Sequence, residues 1–546
     1  MSLSTLRAVT RGGRLASRTG VGVAALTMAA ALGGCMDLDV TDPNNLSIGT
    51  VFTNPSNAEA ALVGSFKAYT ELARGSCPTI PLEIYANIQS STSTTYLEYS
   101  VEPRQPINNR DNLNCLSRYI FNTSYEAAAG AREAFIGIKE NGLKYGTVST
   151  QFPDGSDTPS RKIFARFVIG VSQLKLALLM DQAYVTDTIT PGYNQIVQDL
   201  TPWPAVLENA KAQLRAAITE ARNTPNFTLP LLFVNNAANR AITRDELIRV
   251  MQSFLVRADA YSARTPQQRA AVNWAGVLAR LDSTVTRDFG YVADPAVAGT
   301  GSTYINNSFA QNTLRLSNRF IGPADTSGAY QTWLGRPIAQ RTAFVIATPD
   351  LRIRNATTPA PTVPTPAPIR IQRVTTTMGS AANAPYITSF YRNVRFLNVA
   401  ADSGNRTFVP VITVQEMQFI RAEALFRLNR FAEAAAIINP SRVAAGLRPV
   451  GVDGPPAGRD CVPRKDDGTC GSLWDAIMYE KRIELFPLEG DINYLDARGW
   501  GRLLPGTPLH IPVNGRELIT RGFAFYTFGG TDDRVNSAQL PNAQQP

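Results

Sequence analysis

Two stretches of this 546-residue chain share one short pattern: Arg257-Ala258-Asp259-Ala260-Tyr261 and Arg421-Ala422-Glu423-Ala424-Leu425. The first lies in a segment with helical spacing of apolar residues, 243–262, and the second in a similar segment, 413–428. Each segment begins with a threonine, a residue suited to cap a helix. Small alanines beside the charged residues would let a neighbouring helix approach closely. The two stretches therefore predict a helical unit that occurs twice.

Each of these helices has a partner directly after it in the sequence. One partner runs near 272–284, after Pro266, and the other spans 431–438 after a short turn. Helix–turn–helix pairs of this kind stack into tetratricopeptide-type scaffolds. The repeat is degenerate, so the alternative that Ala-rich helices merely resemble one another stays open. We predict a mainly α fold, a tetratricopeptide-like helical-repeat scaffold with long irregular loops and minor β structure.

Long irregular excursions separate the helical blocks. The further segments with helical spacing are 58–70, 124–139, 163–183 and 203–222. The excursions span 77–115 and 291–410. The second contains a weak strand signal at 386–391 and a Pro-Thr-Ala stretch at 357–368, which has no apolar face to bury and is expected to be extended and exposed.

The N-terminus has the pattern of a secretory signal. Four arginines precede an apolar run at 21–32, and Leu32-Gly33-Gly34-Cys35 resembles a bacterial lipobox. An uncleaved anchor helix is the alternative, but the run is shorter than the ~20 residues that spanning requires. We expect removal of residues 1–34 and lipidation of Cys35, with several acyl chains giving stable anchoring. Residues 35–546 then form one domain outside the cytoplasm, with the two excursions as inserted ligand-binding loops.

Composition limits the classes of function. An apolar content of 44% and a charged content of 18% are typical of a globular protein. The formal charge of +9 falls to +5 when the arginines of the signal leave, and it is spread without a basic run. Nucleic-acid binding would need clustered Lys and Arg, so it is not expected. No segment after the signal is long and apolar enough to span a bilayer.

Cysteine and histidine usage also constrain the chemistry. Apart from Cys35, the chain has Cys77, Cys115, Cys461 and Cys470, and an even number in an exported protein suggests disulfides. Cys461 and Cys470 would close a short turn, and Cys77 and Cys115 would join the ends of the first excursion. A four-Cys metal site is the alternative, but there is no Cys-x-x-Cys pair. With His510 as the single histidine, His-based triads and metal clusters are not expected, nor is any cofactor or metal.

The C-terminal third carries a resemblance to a known family. The segment 474–485 (Trp-Asp-Ala-Ile-Met-Tyr-Glu-Lys-Arg-Ile-Glu-Leu) is similar to a helix near the C-terminus of SusD/RagB-type outer-membrane lipoproteins. Further motifs of the family lie on both sides of this segment, in the family's order. They are Asp42-Pro43-Asn44-Asn45 and 419–424 before it, and Glu489-Gly490, 494–501 and 511–518 after it. Together with the lipobox they span almost the whole mature chain. Two departures, at 486–488 and 491–493, indicate a divergent member.

The resemblance implies a surface lipoprotein of the outer membrane that faces the cell exterior. Such a protein binds an oligosaccharide, or sometimes a peptide, and passes it to a SusC-like TonB-dependent transporter. A lipid-anchored tetratricopeptide-like scaffold for protein partners is the runner-up hypothesis. A secreted glycoside hydrolase is the third, although no pair of carboxylates stands out as catalytic. Glu480 and Glu484 share a helical face, but with Lys481 and Arg482 nearby we interpret them as part of a structural ion-pair network.

Aromatic and planar polar side chains suggest where a ligand binds. Sugars are held by flat aromatic rings and by groups such as Asn, Gln and Arg. The first excursion contains such a cluster: Asn87, Gln89, Tyr96, Tyr99 and Arg104. A loop in the second contains another: Tyr330, Gln331, Trp333 and Arg336. We predict that these clusters form the ligand face, with packing as the alternative role for each aromatic ring.

Overall fold

Helices make up most of the structure. The computed structural model describes residues 52–107, 115–186, 199–230, 235–236, 240–293, 314–357, 369–377, 385–395, 407–488 and 490–530. The signal, Cys35 and most of the Pro-Thr-Ala stretch lie outside these residues. None of the helices in the described ranges combines the length and apolar character needed to cross a membrane. The mainly α prediction is confirmed.

The helices are numbered along the chain. In the N-terminal half they are α1 (Pro55–Arg74), α2 (Ser76–Tyr85), α3 (Leu97–Ser100), α4 (Cys115–Glu140), α5 (Thr158–Leu179), α6 (Trp203–Asn223), α7 (Arg244–Tyr261), α8 (Pro266–Ala270) and α9 (Trp274–Leu281). In the C-terminal half they are α10 (Asn318–Ile321), α11 (Ala329–Gly335), α12 (Val414–Arg427), α13 (Phe431–Ala444), α14 (Leu473–Leu485), α15 (Gly490–Gly499) and α16 (Gly515–Arg521).

The strands are short and form small sheets. They are β1 (Gln89–Ser91), β2 (Gln182–Ala183), β3 (Thr201–Pro202), β4 (Thr228–Leu229), β5 (Asn235–Asn236), β6 (Ile242–Thr243), β7 (Phe289–Ala293), β8 (Leu314–Leu316), β9 (Ile353–Arg354), β10 (Ile371–Arg373), β11 (Tyr391–Asn393) and β12 (Thr407–Ile412). Two sheets have three strands, in the orders β12-β7-β5 and β11-β10-β9. The antiparallel pair β1–β8 joins the two excursions, with Gln89 opposite Leu316.

Successive helices pack side by side around one hydrophobic core. Helix α4 packs against α1 and α5, and α5 packs against α6. Aromatic rings fill the centre: Phe167 lies 6.0 Å from Phe66 and 5.8 Å from Phe254, measured between ring centroids. These rings come from separate helices, and their packing removes a large apolar area from water. This burial is the main contribution to the stability of the helix packing.

The two predicted repeat units are present and contact each other. Helix α7 begins after Thr243, whose side chain forms a capping box with Glu246. Helix α12 begins after Thr413, whose side chain accepts a hydrogen bond from the backbone N–H of Glu416. Helix α9 packs against both α7 and α12, and α12 packs against α13. Arg257 of the first unit donates to a carboxylate oxygen of Glu416 in the second at 2.6 Å. The helix–turn–helix prediction is therefore confirmed, with both long helices within one residue of the expected bounds. The partner helices differ from the prediction: α9 is shorter than the expected 272–284, and α13 continues to Ala444, past the expected end at residue 438.

One predicted helix ends earlier than expected. The segment 163–183 was predicted as a single helix, but α5 ends at Leu179 and Gln182–Ala183 forms strand β2. The buried guanidinium of Arg264 donates to the carbonyls of Ala177, Leu178 and Met180 at 2.5–3.1 Å. These bonds satisfy carbonyl groups that a helix end leaves unpaired, so the chain can turn into a strand here.

The excursions are more regular than predicted. The first contains α2 and α3, with an extended backbone at Cys77 near the start of α2, and the range 291–410 contains α10, α11 and several short strands. The strand predicted at 386–391 begins only at Tyr391, because residues 385–387 form a 3₁₀ turn. Proline favours such a turn since its φ is fixed and it cannot donate to a strand ladder. Both predicted disulfides are present, Cys77–Cys115 and Cys461–Cys470.

We expect Gly290→Ala to lower the free energy of unfolding by about 1–3 kcal/mol. A Cβ atom at this position would collide with the carbonyl oxygen of Val409 and lie 2.7 Å from Cα of Pro410, both backbone atoms of β12. The strands would have to separate at this point. Urea unfolding measures the change. Gly335→Ala is the matched control, since nothing lies within 4 Å of a Cβ atom there. Equal stability of the two variants would contradict this interpretation.

A cavity beside the disulfide loop

A cavity of about 610 Å³ opens beside α14. Its size lies within the range of small-molecule sites in proteins. Several separate parts of the chain supply its walls, namely Asn87, residues 319–323, Tyr330, residues 463–467, one face of α14, and residues 497–504. The cavity therefore depends on the tertiary fold and contains side chains from both excursions.

The disulfide Cys461–Cys470 closes the loop that forms one wall. Inside the loop, Lys465 and Thr469 are joined by a backbone hydrogen bond of 2.9 Å, and Gly468 adopts a positive φ of 84°. The loop is held to the rest of the site by Arg464, whose N–H donates to the carbonyl of Pro323 at 2.8 Å. Gln331 of α11 donates to the Lys465 carbonyl at 3.1 Å. These bonds give the wall a defined shape.

Arg482 is a partly buried cation in the wall of the cavity. Its guanidinium donates to the carbonyls of Ala86 and Asn87 at 3.3 and 3.5 Å and lies 5.4 Å from the ring centre of Phe320. Burial lowers the pKa of Arg482 to about 10. No carboxylate among the described residues lies within 4 Å of it. Asn87 has a left-handed backbone with φ of 56°, which Asn tolerates better than most residues, and this conformation places its carbonyl beside Arg482.

Other charged groups of the cavity have partners. Arg319 forms an ion pair with Glu102 at 3.1 Å, and Arg502 pairs with Asp475 at 3.2 Å. Asp475 also caps α14 by accepting from Ser472. Hydrogen bonds from Thr469 lower the pKa of Asp467, so that carboxylate stays ionised. These acids act in capping, pairing and loop closure, and the lowered pKa of Asp467 is the opposite of what a general acid needs.

The opposite face of α14 carries a buried ion cluster. Arg352 donates to Glu480 at 2.7 Å, to Glu484 at 2.8 Å and to Asp350 at 2.7 Å. Arg442 reaches Glu480 and Arg370 reaches Glu484, so three cations face three carboxylates. The ion-pair interpretation of Glu480 and Glu484 is confirmed. The expected cations, Lys481 and Arg482, are wrong. Lys481 pairs with Asp496 at 2.7 Å, and Arg482, two residues from Glu480, projects to the other side of the helix.

The residues of the first predicted cluster lie close together inside the protein. Arg104 is buried, donates to Asn87 Oδ1 at 3.0 Å, and also contacts the Tyr99 carbonyl. Tyr99 packs edge-on against Tyr85, with 5.5 Å between ring centroids. Tyr96 is 7% exposed and Tyr99 2%, so in this conformation both rings pack against the core. Of this cluster, Asn87 lines the large cavity.

The second predicted cluster divides between core, cavity and surface. Tyr330 stacks on Trp333 with ring planes 19° apart and on Phe344 with planes 27° apart. Tyr330 nevertheless lines the large cavity, and burial raises its pKa. Trp333 lies under the guanidinium of Arg341, 4.6 Å from its ring centre. Arg336 is exposed at the end of α11 and does not line the cavity.

The two clusters meet at a second, small pocket of about 20 Å³. Asn87, Gln89 and Arg104 of the first cluster line it together with Trp333 of the second. It shares Asn87 and Arg319 with the large cavity, so the two spaces adjoin. The pairing of β1 with β8 explains the meeting, because it places residue 89 next to the start of α10.

Sequence reasoning missed the cations around the cavity. Arg319, Arg464, Lys465, Arg482 and Arg502 were not predicted to lie at the site. The helical spacing of α14 contained a signal for Arg482: residues at i and i+4 share a face, while i+2 lies on the opposite side. Nothing in the local sequence indicated the other four, since the disulfide loop, α10 and the segment after α15 approach only in the folded chain.

Solved structures of SusD superfamily proteins share this fold. One from Bacteroides thetaiotaomicron VPI-5482 aligns with a TM-score of 0.50 at 14% identity, over 82% of this chain and 89% of that chain. A SusD homolog from the same organism gives 0.50 at 12% identity, over 84% and 88%. No protein-family model and no curated protein matches the chain. At these identities the likeness concerns the fold, and the fold is SusD-like.

Proposed function

We propose that this protein is a cell-surface lipoprotein that binds an oligosaccharide or peptide nutrient and passes it to a SusC-like TonB-dependent transporter of the outer membrane. In this proposal the lipidated Cys35 holds the protein on the outer membrane, facing the exterior. The transporter, the anchor and the nutrient come from the family resemblance and the lipobox. The protein acts by binding and release, without catalysis.

The observation that carries the proposal is the cavity of about 610 Å³ within a SusD-like fold. Ligand sites are concave, largely preformed, and lined by aromatic side chains with a few polar groups. Tyr330, Tyr479 and Trp500 supply aromatic surface here, and Arg482 and Asn87 supply polar groups. We propose ligand contact for Asn87 and Tyr330 in this cavity. We propose supporting roles for the buried Tyr96, Tyr99, Arg104 and Trp333, and a contact at the rim for Arg336.

The carboxylates of the cavity argue against glycoside hydrolysis as the function. A hydrolase needs one carboxyl with a raised pKa and a second in its ionised form on the other side of the bond. Asp467 has a lowered pKa, and Asp475 is engaged by Ser472 and Arg502. Such fixed acids suit recognition better than proton transfer. The runner-up, a protein-binding scaffold without a small ligand, leaves the cavity without a role.

We expect the purified protein to bind at least one glycan or peptide from a screen and to release it chemically unchanged. Calorimetry would measure the affinity, and chromatography of the recovered ligand would detect any cleavage. Tyr330→Ala should weaken binding about tenfold or more, because a ring is lost from the cavity wall. Ile519→Ala is the matched control, since its side chain is exposed on α16 and does not line the cavity.

Isolation from membranes tests the remaining part of the proposal. A large β-barrel protein should co-purify with the wild-type protein, and radioactive palmitate should label it only when Cys35 is present. Cleavage of a bound glycan would favour the hydrolase. A failure to bind any small ligand, with soluble protein partners captured in place of a barrel protein, would favour the scaffold.

A further inference from the structure

We propose that the ligand of the large cavity is an acidic oligosaccharide. Its carboxylate would bind Arg482, and a neighbouring hydroxyl group would enter the small pocket lined by Gln89 and Asn318. This inference rests on the proposed binding function and names the chemical class of the ligand. Two independent observations support it, one on charge and one on hydrogen bonding.

The first observation is the lack of a counter-ion for Arg482. A buried cation is costly unless it is paired and well hydrogen-bonded. Its bonds to the carbonyls of Ala86 and Asn87 are long, at 3.3 and 3.5 Å, and therefore weak. Part of the side chain faces the cavity. A planar guanidinium in this setting matches a carboxylate, which can accept two parallel hydrogen bonds.

Glu83, the acid with the largest electrostatic effect on Arg482, does not supply this counter-ion. Glu83 interacts electrostatically with Arg482, but burial raises the pKa of Glu83 well above its usual value, which favours the neutral form. Glu83 also accepts a hydrogen bond from Asn493 at 3.1 Å. A neutral carboxyl compensates a guanidinium poorly, so the charge of Arg482 remains available to a ligand.

The residues that line the cavity carry more positive than negative charge. The cationic residues that line it are Arg319, Arg464, Lys465, Arg482 and Arg502, and the acidic ones are Asp466, Asp467 and Asp475. Arg319 and Arg502 have carboxylate partners, while Arg464 donates to the backbone carbonyls of Gly468 and Arg459. Lys465 is exposed on the disulfide loop. The excess of positive charge would attract an anion to the opening and then hold it at Arg482.

The second observation concerns hydrogen-bonding groups of the small pocket. Both polar atoms of the Gln89 side chain, Oδ1 of Asn318 and the indole N–H of Trp333 are buried without a partner in the described part of the chain. These residues all line the small pocket. Unpaired donors and acceptors are costly in a protein interior and suit a group that both donates and accepts. A sugar hydroxyl is such a group, and about 20 Å³ accommodates one group of this size.

Calorimetric titration with three probes tests the inference: a trimer of galacturonic acid, the galactose trimer of the same linkage, and a peptide of three glutamates. We expect the acidic sugar to bind at least tenfold more tightly than the neutral sugar. Arg482→Gln should weaken binding of the acidic sugar by about 10- to 100-fold and change the neutral sugar less than threefold. Gln89→Leu should weaken both sugars by a similar factor.

Two control variants show whether the charge of Arg482 is responsible. Arg482→Lys keeps the charge and should retain part of the preference for the acidic over the neutral sugar. Arg430→Gln changes an exposed arginine that does not line the cavity and should leave all affinities unchanged. Equal affinity for the two sugars, or a preference that survives Arg482→Gln, would overturn the inference and leave nutrient binding intact. Binding of the peptide alone would overturn the oligosaccharide assignment. Binding of none of the probes, with no barrel protein co-purified, would overturn the proposed function as well.

Discussion

Replacing Arg352 by methionine is expected to lower the free energy of unfolding by about 3–5 kcal/mol. Arg352 is 1% exposed and is the one residue of the ion cluster that contacts all three carboxylates, those of Asp350, Glu480 and Glu484. Methionine fills a similar volume without charge. The variant therefore leaves three buried carboxylates with two cations, Arg442 and Arg370.

Asp350 would lose most in this variant. Its carboxylate accepts two hydrogen bonds from the Arg352 guanidinium, from Nε at 2.9 Å and from Nη2 at 2.7 Å. The other side chain that donates to it is the Tyr479 hydroxyl, at 2.7 Å. An ionised group left in the interior without its cation is the costly outcome of breaking a buried pair. Urea unfolding of the two proteins, followed by far-UV circular dichroism, measures the difference in stability.

The exposed pair Arg430–Glu433 provides the matched control. Its N–O distance is as short, 2.5 Å, but the two side chains are 47% and 56% exposed. Arg430→Met should leave the stability nearly unchanged, since water compensates each charge. Similar costs for Arg352→Met and Arg430→Met would show that burial does not govern this cluster.

We expect low pH to lower the free energy of unfolding, because Glu484 becomes protonated. Burial alone would raise the pKa of Glu484, but Arg352 and Arg370 outweigh it and hold the pKa at about 2, compared with 4.5 for a free Glu. Because the folded-state pKa is the lower one, ionised Glu484 stabilises the protein above about pH 4.5. This contribution, about 3 kcal/mol, is lost as the pH falls towards 2.

Glu484→Gln separates this contribution from those of other acids. The variant should be less stable than the wild type at pH 6, and the difference should shrink as the pH approaches 2, because the wild-type side chain then begins to be protonated in the folded protein as well. Thermal unfolding from pH 6 to pH 2.5 would measure it. Glu208→Gln, at a residue with a 61% exposed side chain, is the control and should run parallel to the wild type. A difference for Glu484→Gln that is constant with pH would contradict the assignment.

The parts of the fold that sequence predicted are those with local causes. Helices α7 and α12 were placed within one residue because Thr243 and Thr413 cap them and apolar residues repeat at helical spacing. The end of α5 was misplaced because its cause is distant. Arg264, whose guanidinium donates hydrogen bonds to the last carbonyl groups of this helix, is 86 residues from Leu178 in the sequence. No periodicity within α5 contains that information.

The candidate site divides in the same way. Asn87 and Tyr330 were selected for their chemistry, and both line the large cavity. The meeting of their clusters at the small pocket depends on the pairing of β1 with β8, which joins segments more than 200 residues apart. Arg482 was overlooked because its neighbours Glu480 and Glu484 suggested one shared network. Helical spacing alone separates these side chains on two faces of α14, but which face lines the cavity depends on partners that are distant in the sequence.

Helix α14 thus has one face committed to the ion cluster and another committed to the cavity. Met478, Arg482 and Ile483 line the cavity, whereas Glu480 and Glu484 bind the cations of the cluster. The first three positions can therefore be changed without removing a partner from the ion cluster. The lining of the cavity and the stability of the fold are thus set by different residues of a single helix.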